Sequence, residues 1–136
     1  MSRNKILIFI LVVAGAIWLS GCSANTQRNS LKVEKALIGH WANANGAFDY
    51  YISDTELVKV EKNGTTTNMT YTVVKLNDSE NTITIRVNNP AAVLKEEDNR
   101  DIKFTADKKT MTETVNILGI KTGENSYSYV DSKTKP

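Results

Sequence analysis

From about residue 37 to 130 the chain alternates between apolar and polar positions with a period of two. Ile83, Ile85 and Val87 are interleaved with Thr82, Thr84 and Arg86. Met69, Tyr71 and Val73 are interleaved with Thr70 and Thr72, and Ile102 and Phe104 with Lys103 and Thr105. Phe48, Tyr50 and Ile52 share one face; Met111, Val115 and Ile117 share another, with threonines opposite. Val58 and Val60 lie opposite Lys59 and Glu61, and Tyr127 and Tyr129 close the series. A period of two sends successive side chains to opposite faces of an extended strand. The Thr, Val, Ile and Tyr that fill it suit a pleated, half-buried surface. The spacing predicts seven or eight short strands.

Turn residues punctuate these runs. Asn63-Gly64 predicts a hairpin whose two central residues take positive φ. Residues 77–81 separate another pair of strands, and residues 107–110 predict a type I turn with a bulge. Short turns imply antiparallel neighbours in a meander. Asn89-Pro90 and the residues to 97 interrupt the series, as one or two helical turns or as a loop. Residues 31–37 predict a short helix leading into the first strand. Strands with one apolar face must roll up or stack. The predicted fold class is therefore all-β, a small antiparallel up-and-down barrel or rolled sheet of seven or eight strands. A two-sheet β-sandwich is the alternative.

Ahead of the strands the pattern changes. Arg3 and Lys5 precede an uncharged apolar run over residues 6–18, the length of a signal-peptide core and short of the roughly 20 residues a permanent span needs. Leu19-Ser20-Gly21-Cys22 follows. This segment resembles the signal and lipobox of bacterial lipoproteins. The resemblance implies a diacylglyceryl group on Cys22, cleavage between Gly21 and Cys22, and a mature domain anchored in the membrane outside the cytoplasm. One acyl chain binds a bilayer marginally, whereas two hold it stably. Expected segments are a signal peptide at 1–21, a lipidated N-terminus and flexible tether at 22–30, a β-domain at 31–131 and a tail at 132–136. The Lys-, Asn-, Ile- and Thr-rich composition leans towards a Gram-positive cell membrane. In a Gram-negative cell Ser23, where an aspartate would favour retention at the inner membrane, points to the outer membrane.

The leader also changes the charge balance. Its Arg3 and Lys5 account for the formal charge of +2, and without them 15 basic and 15 acidic residues remain. Nucleic acid, which calls for a basic patch, is not an expected partner. Cys22 is the single cysteine, so the domain has no internal disulfide and no thiol nucleophile. The single histidine, His40, falls by parity on the outer face as an exposed strand residue. That argues against zinc, which takes three or four ligands, and against Ser–His or Cys–His catalysis. Glu96-Glu97-Asp98 reads as a solvated loop. Asp78 and Glu80 lack the spacing of a calcium loop, and Gly119 and Gly123 read as turn residues. No enzyme activity, cofactor or metal is expected.

Gly39-His40-Trp41 opens the first strand. It resembles the Gly-x-Trp signature of lipocalins and the wider calycin group. There the glycine permits close backbone approach and the tryptophan plugs one end of the barrel. The family also stacks an arginine from a late strand on that tryptophan. Here the last arginine, Arg100, precedes the strand at Ile102, and no basic residue follows the final strand until Lys133. The barrel resemblance puts Trp41, Phe48, Tyr50, Met69, Tyr71, Ile83, Ile85, Phe104 and Val115 inside, either packed together or lining a cavity for a small apolar ligand. Tyr51 falls outside, beside Asp49. The expected function is a membrane-anchored, non-catalytic binding protein for a small hydrophobic ligand. The alternative is an immunity, exclusion or inhibitor lipoprotein that binds an envelope protein.

Overall fold

The computed structural model describes residues 28–93 and 97–136; the leader, Cys22 and Glu96 lie outside them. A 3-10 turn at Arg28–Ser30 and a short helix, α1 (Val33–Leu37), come first. Eight strands follow: β1 (Gly39–Asn43), β2 (Phe48–Ile52), β3 (Glu56–Glu61), β4 (Thr66–Asn77), β5 (Thr82–Asn88), β6 (Asp98–Phe104), β7 (Thr110–Ile117) and β8 (Ile120–Asp131). Each strand pairs antiparallel with the next, and β8 returns to β1, which closes an up-and-down barrel. Eight strands give an interior just wide enough for side chains to fill. No helix among the described residues is long and apolar enough to cross a membrane.

The short helix lies across the end of the barrel where β1 begins, here called the helix end. Its N-cap position is Lys32, which offers no side-chain acceptor. The Val33 N–H donates instead to Asp78 Oδ1 at 2.8 Å, so the β4–β5 turn caps the helix. At its other end, Trp41 Nε1 donates to Leu37 O at 2.9 Å. Val33, Ala36 and Leu37 thereby join a core that includes Trp41, Ile52, Leu57, Ile83, Ile85, Phe104, Met111 and Tyr127.

The turns at the opposite, rim end differ from expectation in detail. The β3–β4 hairpin forms, but Gly64 alone takes positive φ, at 85°. Gly64 N donates to Glu61 O and Glu61 N to Thr65 O, a three-residue loop in which only the last position is left-handed. The two-residue loop with both φ values positive lies between β7 and β8, at Leu118 (52°) and Gly119 (76°), flanked by the Ile117–Ile120 pair. Gly123 is a strand residue opposite Val115 rather than a turn residue. After Pro90 there is one hydrogen-bonded turn, Ala92 N to Asn89 O, with no helix assigned among the described residues.

Strand lengths are unequal. β3 pairs with β4 only as far as Glu56–Thr70, whereas β4 continues beside β5 to Asn77, with a bulge between Val73 and Lys75. Val73, Val74 and Leu76 on this extension are 41%, 51% and 41% exposed.

Candidate functional site

At the helix end, Gly39 has φ +132°, and a Cβ there would lie 2.7 Å from Asp131 O and 2.8 Å from Tyr129 Cε2. Only a residue without a side chain lets β8 come this close. Trp41 is fully buried, with its ring 5.8 Å from Phe104 and 5.4 Å from Tyr129. The Arg28 guanidinium lies 3.4 Å over the Tyr129 ring and 5.2 Å from that of Trp41. Its Nε donates to Lys108 O at 3.0 Å and its Nη2 to Ala36 O at 2.5 Å, while Lys108 Nζ donates back to Asn29 O at 2.9 Å. Burial holds the Arg28 pKa below its usual value, against the opposing pull of Tyr129. The stacked arginine thus comes from the segment ahead of the first strand, not from a late one. Residues 28–30, assigned from sequence to the tether, form a turn held against the helix end of the barrel. An isolated arginine in a Ser-, Asn- and Thr-rich stretch was the available signal.

Nearer the rim the interior is charged. Arg100 lies within β6, on the same inward face as Ile102, rather than ahead of the strand. Its Nε and Nη2 donate to the two carboxylate oxygens of Asp98, both at 2.7 Å. Its Nη1 donates to Glu113 Oε1 at 2.7 Å and to the Tyr50 hydroxyl at 3.0 Å. The Tyr127 hydroxyl donates to Glu113 Oε2 at 2.6 Å. Glu113 is 1% exposed. Asp98 is therefore a strand residue gripping an arginine, not a member of a solvated run. A buried charge is tolerated when it is paired and hydrogen-bonded, and every buried side-chain N or O among the described residues has a partner.

The same packing perturbs the titratable groups. Burial, with Glu113 nearby, pushes the Tyr50 and Tyr127 hydroxyls up. Burial alone would pull Arg100 down, but its hydrogen bonds to Asp98 and the charge of Glu113 push it up instead. Lys59 also faces inward, opposite Tyr50, with its ammonium 4.5 Å over the Phe48 ring and 3.1 Å from Glu61 Oε1. On β3 beyond Leu57 the charged face turns in and Val58 and Val60 turn out. Both oxygens of Glu113 and both of Asp98 are already engaged. The cluster holds these side chains in place.

Of the residues expected inside, Trp41, Tyr50, Met69, Tyr71, Ile83, Ile85 and Phe104 are buried in one core. Phe48 is half-buried and packs against that core near the rim. Val115 stands opposite Arg100 and is half-buried. The Tyr71 hydroxyl donates to Ser53 O at 2.6 Å, and its pKa is pushed up to about 12 by burial and then by Asp54. His40 is on the outer face but is not freely exposed. Its ring stacks on Tyr51 at 4.2 Å and 9°, Nε2 is 2.8 Å from Asp49 Oδ2, and its side chain is 13% exposed. Burial, with Asp49 and Asp131 beside it, raises the Tyr51 hydroxyl. No group of three His, Cys, Asp or Glu among the described residues is placed to hold a metal.

Sequence reasoning passed over Arg28 and Glu113 and the inward positions of Lys59 and Arg100. It also passed over the outer features. A groove of about 500 Å³ crosses β5, β6 and β7, lined by Thr84, Asp101, Lys103 and Thr114 among others. At the rim, Leu118 and Ile120 are 63% and 68% exposed and Val93 is 98% exposed. The Leu118 N–H donates to Glu97 O at 3.3 Å, which joins the β7–β8 turn to the loop ahead of β6.

No family model, curated protein or solved structure matches the chain. The functional argument therefore rests on the geometry above.

Proposed function

We propose that the chain is a membrane-anchored, non-catalytic binding module that engages an envelope protein through its rim. The observation that carries this reading is Leu118. A left-handed backbone at a non-glycine residue costs about 1–2 kcal/mol, and this position in a two-residue hairpin favours Asn or Asp. Leucine here gains no compensating burial, since it points into solvent beside exposed Ile120. Strain retained without structural return is a mark of a functional position. The interior supports the same reading. Trp41, Met111 and Tyr127 are buried inside it, and towards the rim it carries the paired charges of the Arg100 cluster rather than an apolar wall, which favours recognition at the outer surface. The lipobox resemblance at Cys22 supports the anchor.

The test is crosslinking in whole cells, comparing the parent with Leu118→Asn. The parent is expected to yield one dominant envelope protein. The variant should lose it while melting at the same temperature or higher. Retention of the partner by Leu118→Asn would remove the rim from the argument, and a parent with no partner would remove the binding module. A saturable change in Trp41 emission with lipid-like ligands would return the reading to a small apolar ligand.

A further inference from the structure

We propose that the helix end of the barrel rests on the bilayer, with Val73, Val74 and Leu76 of β4 as its lipid contact. This rests on the reading of Cys22 as a lipid anchor. Arg28 lies six positions after Cys22, and a fully extended stretch of that length reaches only about 20 Å. Arg28 is bound into the helix end by the carbonyls of Lys108 and Ala36. The eight residues of β7, which run from that end to the rim, span about 25 Å. With barrel strands tilted by roughly 35–45°, that is a height of about 20 Å. The tether is therefore no longer than the barrel is tall, and the helix end, to which it is joined, is the end held at the membrane.

The surface found at that end suits the position. From Arg28 the chain crosses from the β6–β7 turn, at Lys108, to the β4–β5 turn, where Asp78 caps α1. Leu76 lies two residues before Asp78. Val73 and Leu76 stand opposite Ile85 and Ile83, which are buried, so they lie on the face that elsewhere forms the core. They are exposed because β3 stops short and leaves that flank of β4 without a neighbouring strand. Val74 is exposed beside the bulge, and Lys75 stands between the apolar residues. Apolar side chains entering the acyl boundary, with a lysine reaching to the headgroups, are the chemistry of an interfacial contact.

Charge at this end is close to balanced. Lys35 pairs with Asp54 at 3.4 Å, and Asp78 and Glu80 flank the turn. The contact is therefore carried by apolar side chains, and it needs no anionic lipid. Three such residues would not hold a free protein on a membrane. A lipid-anchored chain, however, meets the bilayer at high effective concentration. In this orientation Leu118 and Ile120 face away from the membrane, where an envelope partner has access.

The experiment uses the lipid-modified protein made from the full chain and reconstituted into phosphatidylcholine vesicles with brominated acyl chains. Tryptophan is introduced at exposed sites by Val74→Trp or Leu118→Trp, with Leu76→Trp as a second reporter of the lipid contact. The emission of the parent's Trp41 is subtracted. The added emission at 74 and 76 should be largely quenched and that at 118 retained, at low and high salt alike. Equal or reversed quenching, in protein that floats with the vesicles and carries the lipid mass on Cys22, overturns the orientation alone. So does quenching at neither site, the result expected if a protein strand rather than lipid covers the flank of β4. Protein that lacks the lipid mass and does not float overturns the anchor and the orientation together.

Discussion

Replacing Arg28 with alanine removes a clamp that joins the segment ahead of the barrel to three parts of its helix end. Two hydrogen bonds to backbone carbonyls are lost, to Lys108 O at 3.0 Å and Ala36 O at 2.5 Å, together with the cation over the Tyr129 ring at 3.4 Å. A hydrogen bond from a charged donor contributes about 1.5–3 kcal/mol, and a desolvated cation over a ring about 2 kcal/mol. These sum to about 5–8 kcal/mol. Removing the guanidinium also relieves its own burial penalty, which brings the net cost below that sum, to about 3–4 kcal/mol. At about 4 °C per kcal/mol for a domain of this size, the melting temperature should fall by roughly 12–16 °C. Thermal unfolding followed by circular dichroism measures this directly. Arg28→Lys keeps the charge but not the planar fork and should fall in between. An Arg28→Ala protein that melts within about 4 °C of the parent would show that residues 28–30 lie on the barrel without supporting it.

Three further outcomes are expected. Gly39→Ala forces a Cβ against Asp131 O at φ +132° and should cost about 3 kcal/mol or more in urea unfolding; a variant as stable as the parent would contradict the close approach of β8. Glu113→Leu leaves Arg100 and the Tyr127 hydroxyl short of a partner. It should cost about 3–5 kcal/mol, with Glu113→Gln losing less, so a neutral Glu113→Leu would contradict the network. Stability should also decline in alkali. Tyr71, raised from 10.0 to about 12 by burial, keeps its proton in the folded state where the unfolded chain loses it. Its contribution is complete below pH 10 and is lost as the pH rises through about 12. The buried Tyr50 and Tyr127 act in the same direction. Urea midpoints that rise with pH across this window would reverse the sign.

The strands were legible because their inward and outward residues differ so plainly. Ile83, Ile85 and Val87 against Thr82, Thr84 and Arg86 leave little choice of face. The number of strands, their antiparallel order and the place of Trp41 follow from such runs and from Gly-x-Trp. The charged interior was not legible, although its parity was. Arg100 lies two positions from Ile102, and Glu113 lies two from Met111 and two from Val115. Each alone reads as a charge that belongs outside. Only together, across β6 and β7 and with Tyr50 reaching from the far wall, do they satisfy one another. That meeting depends on a register absent from any local pattern. Lys59 was misjudged for the same reason, since its acceptor Glu61 and the Phe48 ring come together only in the folded barrel. Arg28 is the extreme case, since its acceptor at Lys108 is 80 positions away. The Asn63-Gly64 pair shows the reverse failure. The dipeptide marks the hairpin correctly, yet the three-residue loop needs a left-handed residue only at Gly64.

Closure of the barrel sets the order in which the chain can fold. Seven of the eight strand pairings join neighbours in sequence, and each can begin as a hairpin. The eighth joins His40 to Asp131, roughly 90 positions apart, and contacts so distant slow folding. Arg28 bridges the same seam, since it holds Lys108 and lies on Tyr129 of β8. Until β8 arrives, β1 has an open edge, Trp41 lacks the Tyr129 ring and the arginine has no aromatic face to cover. Burial of Trp41 is therefore a late event, and its fluorescence reports closure rather than hairpin formation. A chain interrupted before residue 120 would keep both of its terminal strands as unpaired edges, the surfaces through which β-proteins associate with one another.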